Sequence, residues 1–256
     1  MNVKPKKHLG QHFLIDPKIS NQIANAIDLS VVDLNLMEVG PGTGALTQFL
    51  FLDNVNLVAY EIDKESVLFL NEKYPKLDLR NEDILNIDWK NIFKSQSFTV
   101  TGNFPYNISS QILFKIYENR NHVHQMVGMF QKEVAERVCS GPGSKKYGIL
   151  SVLLQAFYDV EYLFTVDENV FNPPPKVKSG VIKLNRNKII HLDCDEKMFF
   201  KVVKAIFNQR RKMARNSLKS LLMGNVIDHP LFLKRPEQLS VFDFVNITKL
   251  VESTIN

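Results

Sequence analysis

The chain has 256 residues, of which 45% are hydrophobic and 23% charged, with 32 basic and 27 acidic side chains and a formal charge of +5. That balance describes a globular protein long enough for one large domain and a small one. It excludes a membrane protein built from helices, because no apolar run approaches the ~20 residues a membrane helix needs.

Lys4, Lys6 and Lys7 lead into His8-Leu9-Gly10-Gln11-His12, where a secretory signal would place an apolar core, so a cytoplasmic location is expected. Cys139 and Cys194 are far apart and form no C-x-x-C pair, which reads as two reduced thiols. Asp16-Pro17 predicts a helix start, an acceptor cap followed by proline in the first turn, and Ile19, Ile23, Ala26 and Ile27 continue at helical spacing. Beyond it, apolar runs at 36–39, 57–62, 77–79, 98–101 and 123–130 read as strands. Helical stretches at 45–52, 64–73, 109–118 and 131–139 separate them. This alternation predicts an α/β fold, a Rossmann-like parallel sheet covered on both faces. Segments 160–166 and 180–184 read as a hairpin-like pair closing the sheet edge, split by Pro173-Pro174-Pro175. After Arg186 the pattern is helical only, with Phe199, Val203, Ile206 and Phe207 on one face. We therefore expect a first domain at 1–186 and a small all-helical domain at 187–256.

The charge divides at the same place. Residues 1–186 are neutral overall, whereas 187–256 hold 12 basic and 7 acidic side chains, and 197–219 hold eight Lys or Arg and no acid. Such a field suits a polyanion, although an isolated run of this kind also describes a solvated helix face.

Glu38-Val39-Gly40-Pro41-Gly42-Thr43-Gly44-Ala45 follows the first long strand and opens a helix. Glycine there lets the backbone turn sharply and approach a ligand that a Cβ would block. The stretch also fits G-x-G-x-x-A, so a nicotinamide dinucleotide stays open, and Glu61 at the next strand end serves the ribose of either ligand. Glu38 and the proline inside the turn resemble the first motif of S-adenosylmethionine-dependent methyltransferases. Asp83, after the third strand, stands where that class hydrogen-bonds the adenine amine; otherwise it is a loop or capping residue.

Asn103-Phe104-Pro105-Tyr106 closes the fourth strand, at the edge where an open parallel sheet presents its crevice. An exocyclic adenine amine is a poor nucleophile, because its lone pair is delocalised into the ring. Acceptors aimed at its two hydrogens return density to nitrogen, and the Asn103 side-chain carbonyl with the Phe104 backbone carbonyl can supply them. Tyr106 can stack on an extruded base. As bare residues, the four also describe a strand-end turn.

Taken together, these segments closely resemble the bacterial small-subunit ribosomal RNA adenine dimethyltransferase family, KsgA or RsmA, related to eukaryotic Dim1. The resemblance spans nearly the whole chain. It includes Gly10-Gln11-His12-Phe13-Leu14, Gly102 through Ile108, Gln131-Lys132-Glu133-Val134, Pro142 with Ser144-Lys145 and Tyr147-Gly148, Phe171 through Val177, and Phe207 through Lys212. It implies S-adenosylmethionine as donor, no metal, and dimethylation of two adjacent adenosines near the 3′ end of 16S RNA, with a role in late small-subunit biogenesis. His12, Leu14, Gly40, Gly42, Glu61, Ile62, Asp83, Ile84 and Asn103 would bind the donor. Asn103, Phe104, Pro105 and Tyr106 would carry the chemistry, with Phe171 the second aromatic face on the target base; without the resemblance Phe171 reads equally as a core aromatic before a proline-rich turn. Arg210, Arg211, Lys212 and Arg215 would grip RNA, and Lys4, Lys6 and Lys7 form either an arm that orders on a ligand or a solvated tail. The family often has Asn at His12 and usually Leu at Phe104, a change the backbone acceptor survives. The protein is expected to act as a monomer on the small ribosomal subunit, away from membranes. The large-subunit methylase that confers macrolide resistance shares the donor and target motifs; residues 173–177 and 208–212 favour the small-subunit enzyme. An assembly factor with secondary catalysis, or a dehydrogenase, are further readings. His122 and His124 alternate on a strand with no acid or thiol at ligand spacing, so they read as packing or edge residues rather than a metal site.

Overall fold

The computed structural model describes residues 3–29, 34–223 and 225–255. They fall into two compact units, one of Met1–Ala135 with Val160–Arg186, the other of Glu136–Asp159 with Asn187–Asn256.

In chain order the first unit opens with β1 (Phe13–Leu14) and α1 (Pro17–Asn25). The Asp16 carboxylate accepts from Lys18 N at 2.8 Å, the predicted cap, an interaction typically worth ~1 kcal/mol. There follow β2 (Leu34–Val39), α2 (Thr47–Leu50), β3 (Val55–Tyr60), α3 (Lys64–Lys73), β4 (Asp78–Arg80), β5 (Phe98–Asn103), α4 (Ser109–Glu118) and β6 (Val123–Gln131). Helix α5 (Lys132–Cys139) starts directly after β6, α6 (Ile149–Gln155) lies in the 136–159 segment of the second unit, and β7 (Tyr158–Val166), β8 (Phe171–Asn172) and β9 (Ser179–Arg186) follow. Helix α2 starts two residues later than its apolar pattern predicts. Gly44 sits at φ +79°, with a Cβ position 2.9 Å from the Tyr74 ring, so the chain stays in a turn until Thr47.

Seven strands form one sheet in the order β4-β3-β2-β5-β6-β9-β7. The pairs β3–β4, β2–β3, β2–β5 and β5–β6 are parallel, and β9 runs antiparallel to β6 with Gln125 opposite Asn185 and Gln131 opposite Ser179. The expected closing pair is thus β9 beside β6 with β7 outside it, while intervening β8 leaves the sheet to pair with β1, Leu14 opposite Phe171. Strand β2 is buried at five of six positions, as a strand covered on both faces must be. One core under the sheet joins Leu36, Leu57, Val127, Met129 and Val181 to Ile23 of α1 and Leu50 of α2. Chain order runs outward from β2 to β3 and β4, then returns to β5 on the other side, so the ends of β2 and β5 flank the topological switch point.

In the second unit, α7 (Glu196–Asn208), α8 (Ala214–Ser217) and α9 (Val241–Ile255) join α6. Phe199, Val202, Val203 and Ile206 form the buried face of α7. Phe207 meets the Tyr147 ring edge-on at 5.9 Å and stacks on Phe244 at 5.6 Å. Tyr147 belongs to 136–159, a segment the expected division at 186 leaves with the first domain. Its buried residues, Leu150 and Val152 through Leu154 among them, have no charge pattern announcing which unit they join.

Candidate active site

Strand β2 ends at Val39, and Gly40 (φ +67°) and Gly42 (φ +58°) turn the chain back over the strand ends in a conformation that strains any residue with a Cβ. Behind this turn Glu38 is 1% exposed and accepts from the Thr47 hydroxyl at 2.8 Å. Loss of hydration pushes its carboxyl up to about 8, opposed by the Thr47 hydroxyl and reinforced by the charge of Glu61. Glu61, just past β3, accepts from Gly42 N at 3.0 Å and Asp63 N at 2.9 Å, bonds that oppose the upward push of burial on its own carboxyl.

Strand β5 delivers Asn103 to the same place. Its Nδ2 donates to the His12 carbonyl at 2.9 Å. A carbonyl can only accept, so the amide nitrogen must face His12 and the Asn103 carbonyl oxygen must face away from it. Phe104 N donates to Met129 O at 3.1 Å, fixing the backbone on which the second acceptor lies. The Phe104 ring is 1% exposed and stacks on Phe130 at 4.7 Å. It occupies the space above Gly128, where any Cβ would collide with it. The larger side chain at this position is therefore absorbed by the core rather than by the cavity wall. Tyr106 is fixed at both ends: its hydroxyl bonds the buried Ser179 Oγ at 2.6 Å, and its ring meets that of His12 at 5.4 Å, tilted 31°. His12 Nδ1 in turn bonds the Pro173 carbonyl at 2.7 Å.

These groups line one cavity of about 70 Å³, bounded by His12, Leu14, Gly40, Gly42, Glu61, Ile62, Asn103, Phe104, Pro105 and Tyr106 together with Glu38, Thr43 and Leu46. Asp83 and Ile84 line a neighbouring cavity of about 140 Å³ that shares Gly40, Glu61, Ile62 and Pro105. The Asp83 carboxylate also holds its own turn, accepting from Leu85 N at 2.9 Å and Asn86 Nδ2 at 3.0 Å. A third cavity, about 430 Å³, begins at His12 and Tyr106 and runs between Gln131 and the 173–177 segment, with Lys7 and Lys176 on its walls.

Phe171 is not brought to any of these walls. It is 2% exposed, paired with Leu14 across β1–β8 and packed in the core with Ile23 and Val166, so a base cannot lie on it in this arrangement. The aromatic surface facing Tyr106 is His12 instead. In the second unit Arg211 and Lys212 are exposed in the turn after α7 and Arg215 is exposed on α8. Arg210 donates to the carbonyls of Ser144 and Lys145, tying the 144–145 loop to that turn. Among the described residues no group of His, Cys, Asp and Glu is arranged for a metal ion. His122, in the turn before β6, bonds Ser95 O at 3.2 Å, and His124, at the start of β6, bonds Thr99 Oγ1 at 3.1 Å. Ser179 and Asp63 escaped the sequence reading, and Gln131 entered it only within a segment shared with the family. Ser179 lies 73 residues from the tyrosine it holds, and no local spacing links them.

The turn and the acidic wall fit an adenosine-containing donor with a positive charge: two glycines that admit close approach, a carboxylate at each strand end, and exposed apolar Ile62 between the first two cavities. A family model described as ribosomal RNA adenine dimethylase matches residues 2–251. The chain is 53% identical over 257 residues to ribosomal RNA small subunit methyltransferase A of Bacteroides thetaiotaomicron, covering 99% of this chain and 96% of that protein. With the protein of the same name from Parabacteroides distasonis it shares 56% identity over 250 residues, 96% of this chain and 93% of the other. A dimethyladenosine transferase from Plasmodium falciparum superposes with a TM-score of 0.76 at 23% identity, over 95% of this chain and 98% of that one. The 23S rRNA methyltransferase ErmE gives 0.69 at 25%, over 93% and 99%.

Proposed function

This chain belongs to the ribosomal RNA adenine dimethylase family, and we propose that it transfers methyl groups from S-adenosylmethionine to the exocyclic amines of two adjacent adenosines near the 3′ end of small-subunit ribosomal RNA. The single observation that carries the reading is the orientation of Asn103. Its amide nitrogen is committed to His12 O, which turns its carbonyl oxygen outward beside the Phe104 backbone at the wall shared with the glycine turn.

When bound, the donor supplies an electrophilic methyl group on a sulfonium sulfur. Glu61 would accept from the ribose hydroxyls and Asp83 from the adenine amine, and Ile62 and Ile84 would give the apolar surfaces for the purine. The target adenine enters by the cavity between Tyr106 and the 173–177 segment and stacks on Tyr106. The Asn103 Oδ1 and Phe104 carbonyl accept its two amine hydrogens, restoring density to the nitrogen and aligning it for in-line displacement. Transfer of the methyl group to the nitrogen would release the sulfur as a neutral thioether, and the amine proton, made acidic by alkylation, would leave to water without a dedicated base. Most of the acceleration is positioning.

The curated relatives at 53% and 56% identity are named for the small subunit, whereas ErmE is similar at 25%, which supports the small-subunit substrate over the large-subunit one. Arg211, Lys212 and Arg215 contact phosphates of the structured RNA through charge and shape. Binding of immature subunits as a late assembly step is compatible with the same surface. Replacing Asn103 with Ala removes one acceptor and the tie to His12. Turnover of labelled donor on small subunits falls by on the order of a hundredfold, while subunit binding is unchanged; normal turnover in that variant would remove Asn103 from the chemistry.

A further inference from the structure

Asp63 is 2% exposed and has no part in the chemistry described above. Its carboxylate accepts from Lys6 Nζ, Gln11 Nε2 at 3.3 Å, Glu65 N at 3.2 Å and Ser66 Oγ at 3.1 Å. The last two bonds are what an N-cap needs; the first two belong to a segment more than fifty residues earlier. Lys6 also pairs with Glu65 at 3.2 Å, and its own N–H donates to Gln11 Oε1 at 2.8 Å, so Lys6, Gln11 and Asp63 form a closed ring of contacts. Gly10, inside this ring, sits at φ +65°, with a Cβ position 2.8 Å from Asn107 Oδ1.

The segment so fastened is the one whose residues Leu9 to Leu14 line the donor cavity. Its far end is held by the β1–β8 pairing and its middle by Asn103 through the His12 carbonyl. The near end is held by the contacts of Lys6 with Asp63, Gln11 and Glu65. Two of Asp63's other contacts keep its carboxylate aimed outward from the start of α3, two residues beyond Glu61. Lys6 is thus not a solvated tail residue, although its neighbours Lys4 and Lys7 are exposed.

We propose that Lys6, Gln11 and Asp63 form a latch that positions residues 6–14 as the roof of the donor site. Lys6 and Asp63 are positioning residues: neither lines the cavity, and each acts through the strap. The inference rests on the donor reading of that cavity. Charge-assisted bonds are the strong ones, so the latch holds its geometry better than Gln11 alone would.

Isothermal titration with S-adenosylhomocysteine tests this on the full chain. K6M keeps the aliphatic stem and removes the charge; D63N keeps an N-cap acceptor and removes the charge. Each weakens binding by roughly five- to tenfold, the double variant is no weaker than D63N alone, and K4M binds as the wild type does. With small subunits as substrate, the donor KM rises by the same factor while kcat stays within about twofold, a split that general destabilisation does not produce. Unchanged affinity in both single variants, or losses that multiply in the double variant, overturns the latch. A wild-type chain that fails to bind S-adenosylhomocysteine overturns the donor reading itself, a separable result.

Discussion

Replacing Glu38 with Gln should make the protein more stable in mildly alkaline solution and change little in mildly acidic solution. The carboxyl is buried, with its pKa raised from 4.5 to about 8 in the folded chain. Between those values the folded protein binds a proton that the unfolded chain has released, so folding stability falls as pH rises from about 4.5 through 8. Each tenfold difference in proton affinity between the two states is worth about 1.4 kcal/mol. At pH 5 the loss is therefore under about 1 kcal/mol, and at pH 8 it is on the order of 4 kcal/mol. Gln is nearly isosteric, accepts from the Thr47 hydroxyl in place of the carboxyl oxygen, and has no proton to lose. Urea unfolding of both proteins at several pH values from 5 to 8 is the assay, read as the difference between them so that other titrating groups cancel. The gap should open by on the order of 3 kcal/mol across the range, with Glu38→Gln the more stable at the upper end. Two curves that stay parallel would show that the carboxylate charges without cost and that the acidic wall is wetter than its burial implies.

Other consequences are simpler to test. S-adenosylhomocysteine at about a hundred times its dissociation constant should stabilise the fold by ~2.7 kcal/mol and raise the melting temperature by roughly 5–10 °C, with NAD leaving it unchanged; the reverse pattern would restore the dinucleotide reading of the glycine turn. Removing Arg211, Lys212 and Arg215 together should lower the dependence of log affinity for small-subunit RNA on log salt by roughly two to three units. The same slope as the wild type would take these side chains off the RNA. Arg210→Ala should cost more than its charge, because it also frees the 144–145 loop.

What the sequence made legible is what local chemistry fixes. The helical stretches read at 64–73 and 109–118 become α3 and α4 at those bounds, and the apolar runs become a parallel sheet whose switch point carries Gly40 and Asn103. Residues set by contacts across the chain were not legible. The resemblance puts Phe171 on the target base and its place before a proline run equally suits a core aromatic; the two-residue pairing with Leu14, which decides for the core, is not visible in either segment alone. His12 then faces Tyr106. Lys6 reads as one of three tail lysines until Asp63, itself recognisable only as a helix cap, supplies its partner. Residues 136–159 lie in the middle of the sheet-forming sequence but bury Tyr147 among the C-terminal helices, a choice that hydrophobic periodicity does not encode.

Small subunits unmodified at the 3′ end of their RNA, incubated with this protein and labelled S-adenosylmethionine, can be digested and the RNA fragments sequenced by mass spectrometry. Two adjacent adenosines each carrying two labelled methyl groups on the exocyclic amine are expected, with large subunits unlabelled. Label confined to large-subunit RNA, or carried on any atom other than the exocyclic amine, would contradict the account.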